Sequence, residues 1–278
     1  MTRMKSILIP IDFSEYAKTA MQSGIALAKK TGAEIFLLHV FSAPLDWNRI
    51  SVARQQDYPE NEARMVEAEI KMDQLIKDKS FNGVKVTTFV RPGRVMEEVL
   101  SMSKLYRVDL IIMGAHGVGE SHRYFIGSHA QKIMRTSPCP VLSVKKDFKP
   151  TSIKRIVFAA DFEENLTKPF NKFIPFLKAT GASVTLLFVN TPSHFKDTPT
   201  VTKAMQKLIE AYPEVKIKGE VYNAFDAEKG MLTFAENNKV DIITKVTGNR
   251  SRRVAYDFGI TEALLYKSNV PVLSVVVD

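Results

Sequence analysis

The residues between 114 and 129 read GAHGVGESHRYFIGSH and concentrate the chain's candidate chemistry. Two uses compete for them. The histidines His116, His122 and His129 are metal-ligand types, whereas the glycines Gly114, Gly117 and Gly127 let backbone amides approach a phosphate chain without an intervening Cβ. The histidine spacing is poor for zinc, whose sites usually begin with a closely spaced ligand pair, and the single cysteine, Cys139, supplies no second thiolate. A metal held by protein groups alone is therefore not expected. The glycine reading gains from Ser128, which follows Gly127 and precedes a segment with helical character. Free N–H groups at a helix start favour an anion, and the Ser128 hydroxyl adds a donor.

These residues need a framework to position them. Apolar runs at Ser6–Ile11, Glu34–Phe41, Val84–Val90, Val108–Met113 and Pro140–Val144 alternate with segments of helical spacing. Ser14 is suited to cap the first helix and Gly32 to end it. Further helices are expected over Pro59–Lys79, over Pro92–Tyr106 with proline in its first turn, and over Phe125–Thr136. Strands apolar throughout, each followed by a helix, predict a parallel sheet covered on both faces. In such a doubly wound domain a ligand sits beyond the C-terminal strand ends, where strand order reverses. Asp12, Val40 and Gly114 all fall at strand ends. From the residues alone Asp12 has two equal readings: an acceptor for ribose or adenine donors, or an acidic residue supporting a helix N-terminus.

The pattern occurs twice. KSILIPIDFSEYAKTAMQSGIALAKKTGAEIFLLHV aligns without gaps to KRIVFAADFEENLTKPFNKFIPFLKATGASVTLLFV, and Pro140–Val144 repeats at Pro271–Val275. Two domains of one fold are predicted, 1–146 and 152–278, joined by a charged linker containing Pro150. The apolar last strands are suited to pair with each other, making an internal pseudo-dimer that covers two sheet edges; further homodimerisation stays open. Residues 42–58, with Trp47, have no counterpart in the second half and are read as a lid or a plain surface loop.

The glycine pattern Gly114-x2-Gly117-x9-Gly127-Ser128, with PIDFS at Pro10–Ser14 and SPCPVLSV at Ser137–Val144, resembles the universal stress protein family in its tandem form, across essentially the whole chain. The resemblance implies two five-stranded, Rossmann-like domains related to the adenine-nucleotide α/β hydrolases. It implies ATP as ligand, with magnesium carried by the phosphates. Asp12 and Val40 would hold ribose and adenine. Gly114, Gly117, Gly127 and Ser128 would hold phosphates, with Pro10, Met113, His116 and His129 lining the site. His129 departs from the small apolar residue usual in the family. In the second copy, counting from Asp241 as from Asp109, Gly114 becomes Val246, Gly117 becomes Asn249 and Ser128 becomes Ile260, while Gly127 persists as Gly259. That copy is expected to bind no triphosphate in the usual way, although Asp161 matches Asp12.

No Walker loop, G-x-S-x-G elbow, SGGxDS loop or HxGH pair occurs, so no catalytic residue is assigned. The implied role is an adenine-nucleotide-binding sensor or regulator in stress response, with an unidentified protein partner. The alternatives are a slow ATPase and an interaction protein without nucleotide. One cysteine, no signal-peptide core and no membrane-length apolar run predict a cytoplasmic protein away from membranes. The net charge of +9 is spread along the chain and is read as a solvated surface rather than a nucleic-acid footprint.

Overall fold

The computed structural model describes residues 3–43, 51, 54, 58–115, 128–162, 166–247 and 260–276. The first half contributes strands β1 (Ser6–Pro10), β2 (Glu34–Phe41), β3 (Val86–Pro92), β4 (Leu110–Gly114) and β5 (Val141–Val144). The second contributes β6 (Arg155–Ala159), β7 (Ser183–Asn190), β8 (Ile217–Asn223), β9 (Ile242–Thr247) and β10 (Val272–Val276). All ten form one sheet in the order β3-β2-β1-β4-β5-β10-β9-β6-β7-β8. Each half is parallel, and order reverses between β1 and β4 and again between β6 and β9. The halves meet where β5 pairs antiparallel with β10, with Leu142 opposite Leu273.

Helices cover both faces. One layer holds α1 (Glu15–Thr31), α2 (Pro59–Ile76), α5 (Thr167–Thr180) and α6 (Thr198–Ala211). The other holds α3 (Val95–Leu105), α4 (Ser128–Thr136), α7 (Ala227–Asn237) and α8 (Ile260–Lys267). Each layer buries one apolar cluster that runs across both halves. Phe158, Phe170 and Phe173 interlock in the first. Ile111, Ile133, Leu264 and Val272 lie in the second.

Local chemistry sets the boundaries. The Ser14 side chain accepts the Ala17 N–H at 3.1 Å and caps α1. Gly32 and Gly181 end α1 and α5 with φ of 72° and 69°, a left-handed conformation that glycine adopts at little cost. Pro92 does not start a helix. It closes β3 opposite Phe41, the Gly93 N–H continues the ladder to the Phe41 carbonyl at 2.9 Å, and α3 begins only at Val95. A missing N–H is tolerated at the end of a sheet-edge strand as readily as in a first helical turn.

The duplication is exact enough to repeat individual hydrogen bonds. Asp109 Oδ2 accepts the N–H groups of Lys5 and Ser6, at 2.6 and 3.1 Å. Asp241 Oδ2 accepts those of Lys154 and Arg155, both at 2.8 Å. The register agrees: Gly114 lies opposite Val144, and Val246 lies opposite Val275. Val246 thus stands where the first half has Gly114.

At the seam, buried Ser274 donates its hydroxyl to the Met134 carbonyl of α4 at 2.6 Å, a bond from one half to the other. Leu142 and Leu273 are fully buried there. Truncating Leu273 to alanine is expected to cost about 2–5 kcal/mol, as for other buried leucines. Because the two cores are continuous, urea unfolding followed by circular dichroism should still show one transition, moved to lower urea. Two separated transitions would contradict this coupling.

Candidate functional site

The C-terminal ends of β1, β2 and β4 bring five of the ten sequence-expected site residues to one sheet edge. Pro10 is the last residue of β1 and half-buried. Asp12 lies two residues further on, not at the strand end itself, and is half-buried. Val40 is the penultimate residue of β2, Met113 is buried within β4, and Gly114 ends β4. Ser128 and His129 are the first two residues of α4, so their backbone opens that helix. His116, Gly117 and Gly127 lie outside the described residues, as do His122 and Trp47 of the metal and lid readings.

The turn after β1 is built to aim the Asp12 carboxylate. The Ile11 N–H donates to the Leu38 carbonyl at 2.8 Å, which carries the β1–β2 ladder one step past the strand. Phe13 then takes φ of 62°, a left-handed conformation unfavourable for a residue with a Cβ. That reversal lets the Ser14 N–H donate to Asp12 Oδ1 at 3.0 Å. Of the two readings of Asp12, this bond is the one expected of an acidic residue supporting the N-terminus of α1. The second half repeats the strain, with Phe162 at φ of 57°.

His39 belongs to none of the sequence motifs, yet it is bonded into this turn. Its Nδ1 lies 2.8 Å from the Ile11 carbonyl. A carbonyl only accepts, so Nδ1 carries the proton. The ring also packs on Phe13, with centroids 4.8 Å apart. His39 therefore pins the turn that presents Asp12. Its position beside Val40 on β2 was the one signal in the sequence, and it does not reveal a contact 28 residues away.

The second half has different chemistry at the same edge. Lys245 occupies the position of Met113 and is buried, and Val246 replaces Gly114. The Lys196 ammonium donates to the Asp161 carbonyl at 2.7 Å and lies 5.4 Å from the Phe188 ring centroid. Burial lowers the Lys196 pKa, and the Asp161 charge opposes that shift. The lysine is held at its backbone too, because the Asn190 side chain bonds both its N–H and its carbonyl. Asp161 therefore has a cation built against it.

This is a doubly wound α/β edge with a carboxylate just past β1 and a glycine ending β4, and ligands of such folds sit beyond the C-terminal strand ends. The universal stress protein family model matches residues 4–145, and the chain belongs to that family. It is 30% identical to universal stress protein MJ0577 of Methanocaldococcus jannaschii over 154 residues, covering 51% of this chain and 95% of that one. It is 29% identical over 145 residues to universal stress protein YxiE of Bacillus subtilis, covering 50% and 97%. Over its whole length it is similar to the solved structure of a universal stress protein from Archaeoglobus fulgidus, with a TM-score of 0.75, 19% identity and 97% of each chain covered. That likeness establishes the tandem fold. Among the described residues no helix is long and apolar enough to cross a membrane.

Cys139 plays no part in this edge. It is buried, and that burial pushes its thiol pKa from 9.0 up to about 11, against a smaller opposing effect from the Ser137 hydroxyl. At about pH 8 a thiol reagent is expected to modify it only as fast as the fold opens, and promptly in denaturant. Modification at the free-thiol rate in native buffer would contradict the burial. The unfolded thiol ionises first, so this group's contribution to stability is complete below pH 9.0 and is lost as pH rises towards about 11.

Proposed function

We propose that the N-terminal half, residues 1–146, binds ATP, and that the protein acts in the cytoplasm as a nucleotide-linked sensor or regulator of stress response. The observation that carries this reading is the half-buried Asp12 carboxylate, held in a strained turn at the same sheet edge as Gly114. In this reading Asp12 accepts hydrogen bonds from the ribose hydroxyls, and the backbone at Val40 meets the adenine edge. Pro10 and Met113 supply apolar flanks. Gly114, Gly117, Gly127 and Ser128 offer N–H and hydroxyl donors to the phosphates, with His116 and His129 lining them. Magnesium, bound through the phosphate oxygens, would supply charge neutralisation there.

The residues present suit such a ligand. A carboxylate is the acceptor a ribose diol needs, and a glycine without Cβ admits a phosphate beside the backbone. The reading is one of binding rather than turnover. His39, which packs on Phe13 in the turn, has its Nδ1 proton committed to the Ile11 carbonyl.

The C-terminal half, residues 152–278, is read as binding no triphosphate in this way. Two features support that. The Val246 Cβ stands at a backbone approach point, and Lys196 sits against Asp161. The two aspartates therefore differ in consequence. Asp12→Ala is expected to weaken ATP binding at least tenfold in isothermal titration with magnesium present, the worth of about 1.5–3 kcal/mol for hydrogen bonds to a charged group. Asp161→Ala is expected to leave the affinity within twofold. Equal losses from both variants, or no binding by the unsubstituted protein, would contradict the assignment.

A further inference from the structure

The junction between the halves holds a cleft of about 330 Å³, within the range of small-ligand sites. Its position follows from the seam. Because β5 and β10 run antiparallel, the C-terminal end of β5 lies beside the N-terminal starts of β10 and β9. The linker leaving β5 lines that corner with Phe148 and Lys149, and the second half lines it with Val270 and Pro271. The linker is also tied down, since the Thr19 hydroxyl of α1 donates to the Lys146 carbonyl at 2.8 Å. A half-domain alone would have no such wall. The cleft lies at β5, two strands along the sheet from β1, and shares none of its lining with Asp12 or Gly114.

The charges facing the cleft are unequal in what they have left to offer. Lys145 is half-buried, and its Nζ donates to the Leu265 carbonyl near the end of α8. An ammonium carries three N–H groups, and one carbonyl uses one of them. Desolvation lowers the pKa of this lysine, so an anion brought to it would stabilise a charge that burial penalises. Asp241, half-buried, already accepts two backbone N–H groups through Oδ2. Asp147 is exposed, and it is the single acidic residue of the segment between β5 and β6, which also carries Lys145, Lys146, Lys149 and Lys154. Phe148, Val270 and Pro271 give an apolar flank, and Ser152 and Asn269 add polar groups.

We propose that this cleft binds a small organic anion, with one phosphate or carboxylate on Lys145 and Lys149 and a flat or aliphatic body against Phe148 and Val270. The test is a titration of the full, isotopically labelled chain with phenyl phosphate, followed by amide chemical shifts, with inorganic phosphate in a parallel arm. Saturable shifts confined to residues 145–153 and 268–270 are expected, with phenyl phosphate binding at least tenfold more tightly than inorganic phosphate. Lys149→Glu, an exposed change that leaves the core untouched, is expected to weaken binding at least tenfold, and Lys145→Met more. Shifts centred instead on Asp12, Gly114 and Ser128 would overturn the proposal. So would linear, unsaturable shifts, equal affinity for inorganic phosphate, or an unchanged affinity in Lys149→Glu.

Discussion

The antiparallel pairing of β5 with β10 is the constraint on which the rest of the molecule depends. Two parallel five-stranded sheets each end in an apolar strand whose unpaired edge invites aggregation. Joining the edges removes both liabilities and makes one ten-stranded sheet. It also merges the helical layers, so that residues such as Leu142 and Leu273 belong to one core. The join fixes the relative direction of the halves. The C-terminal end of β5 must meet the N-terminal start of β10, and the linker cleft is a geometric result of that direction.

Within this frame the two halves keep the same scaffold and differ in what they carry. The Asp109 and Asp241 carboxylates tie the strand starts in the same way, and Phe13 and Phe162 take the same strained turn. The halves differ both in the core, where Met21, Gly24 and Leu27 become Phe170, Phe173 and Phe176, and at the opposite edge. There Met113 and Gly114 become Lys245 and Val246, and a lysine from the β7–α6 loop settles against Asp161.

The strands, the duplication and the family were legible in the sequence because each rests on local or repeated patterns. Apolar runs gave the strands, and Ser14 and Gly32 marked the ends of α1 where the structure has them. Pro92 was misread as a helix start because proline suits both a first helical turn and a strand end, and only the ladder to Phe41 distinguishes them. The contacts that define the site's chemistry were not legible. His39 to Ile11 and Lys196 to Asp161 join residues 28 and 35 positions apart, through loops with no periodicity to follow. The cleft was hidden for the same reason, since its two walls are separated by most of the second half.

The central claim is that one half of a duplicated fold has the chemistry of a nucleotide site and the other has lost it. Equilibrium dialysis of the intact chain against labelled ATP with magnesium tests this most directly, because it counts sites. The account requires saturation at one ATP per chain. Two equivalent sites per chain, or none, would contradict it.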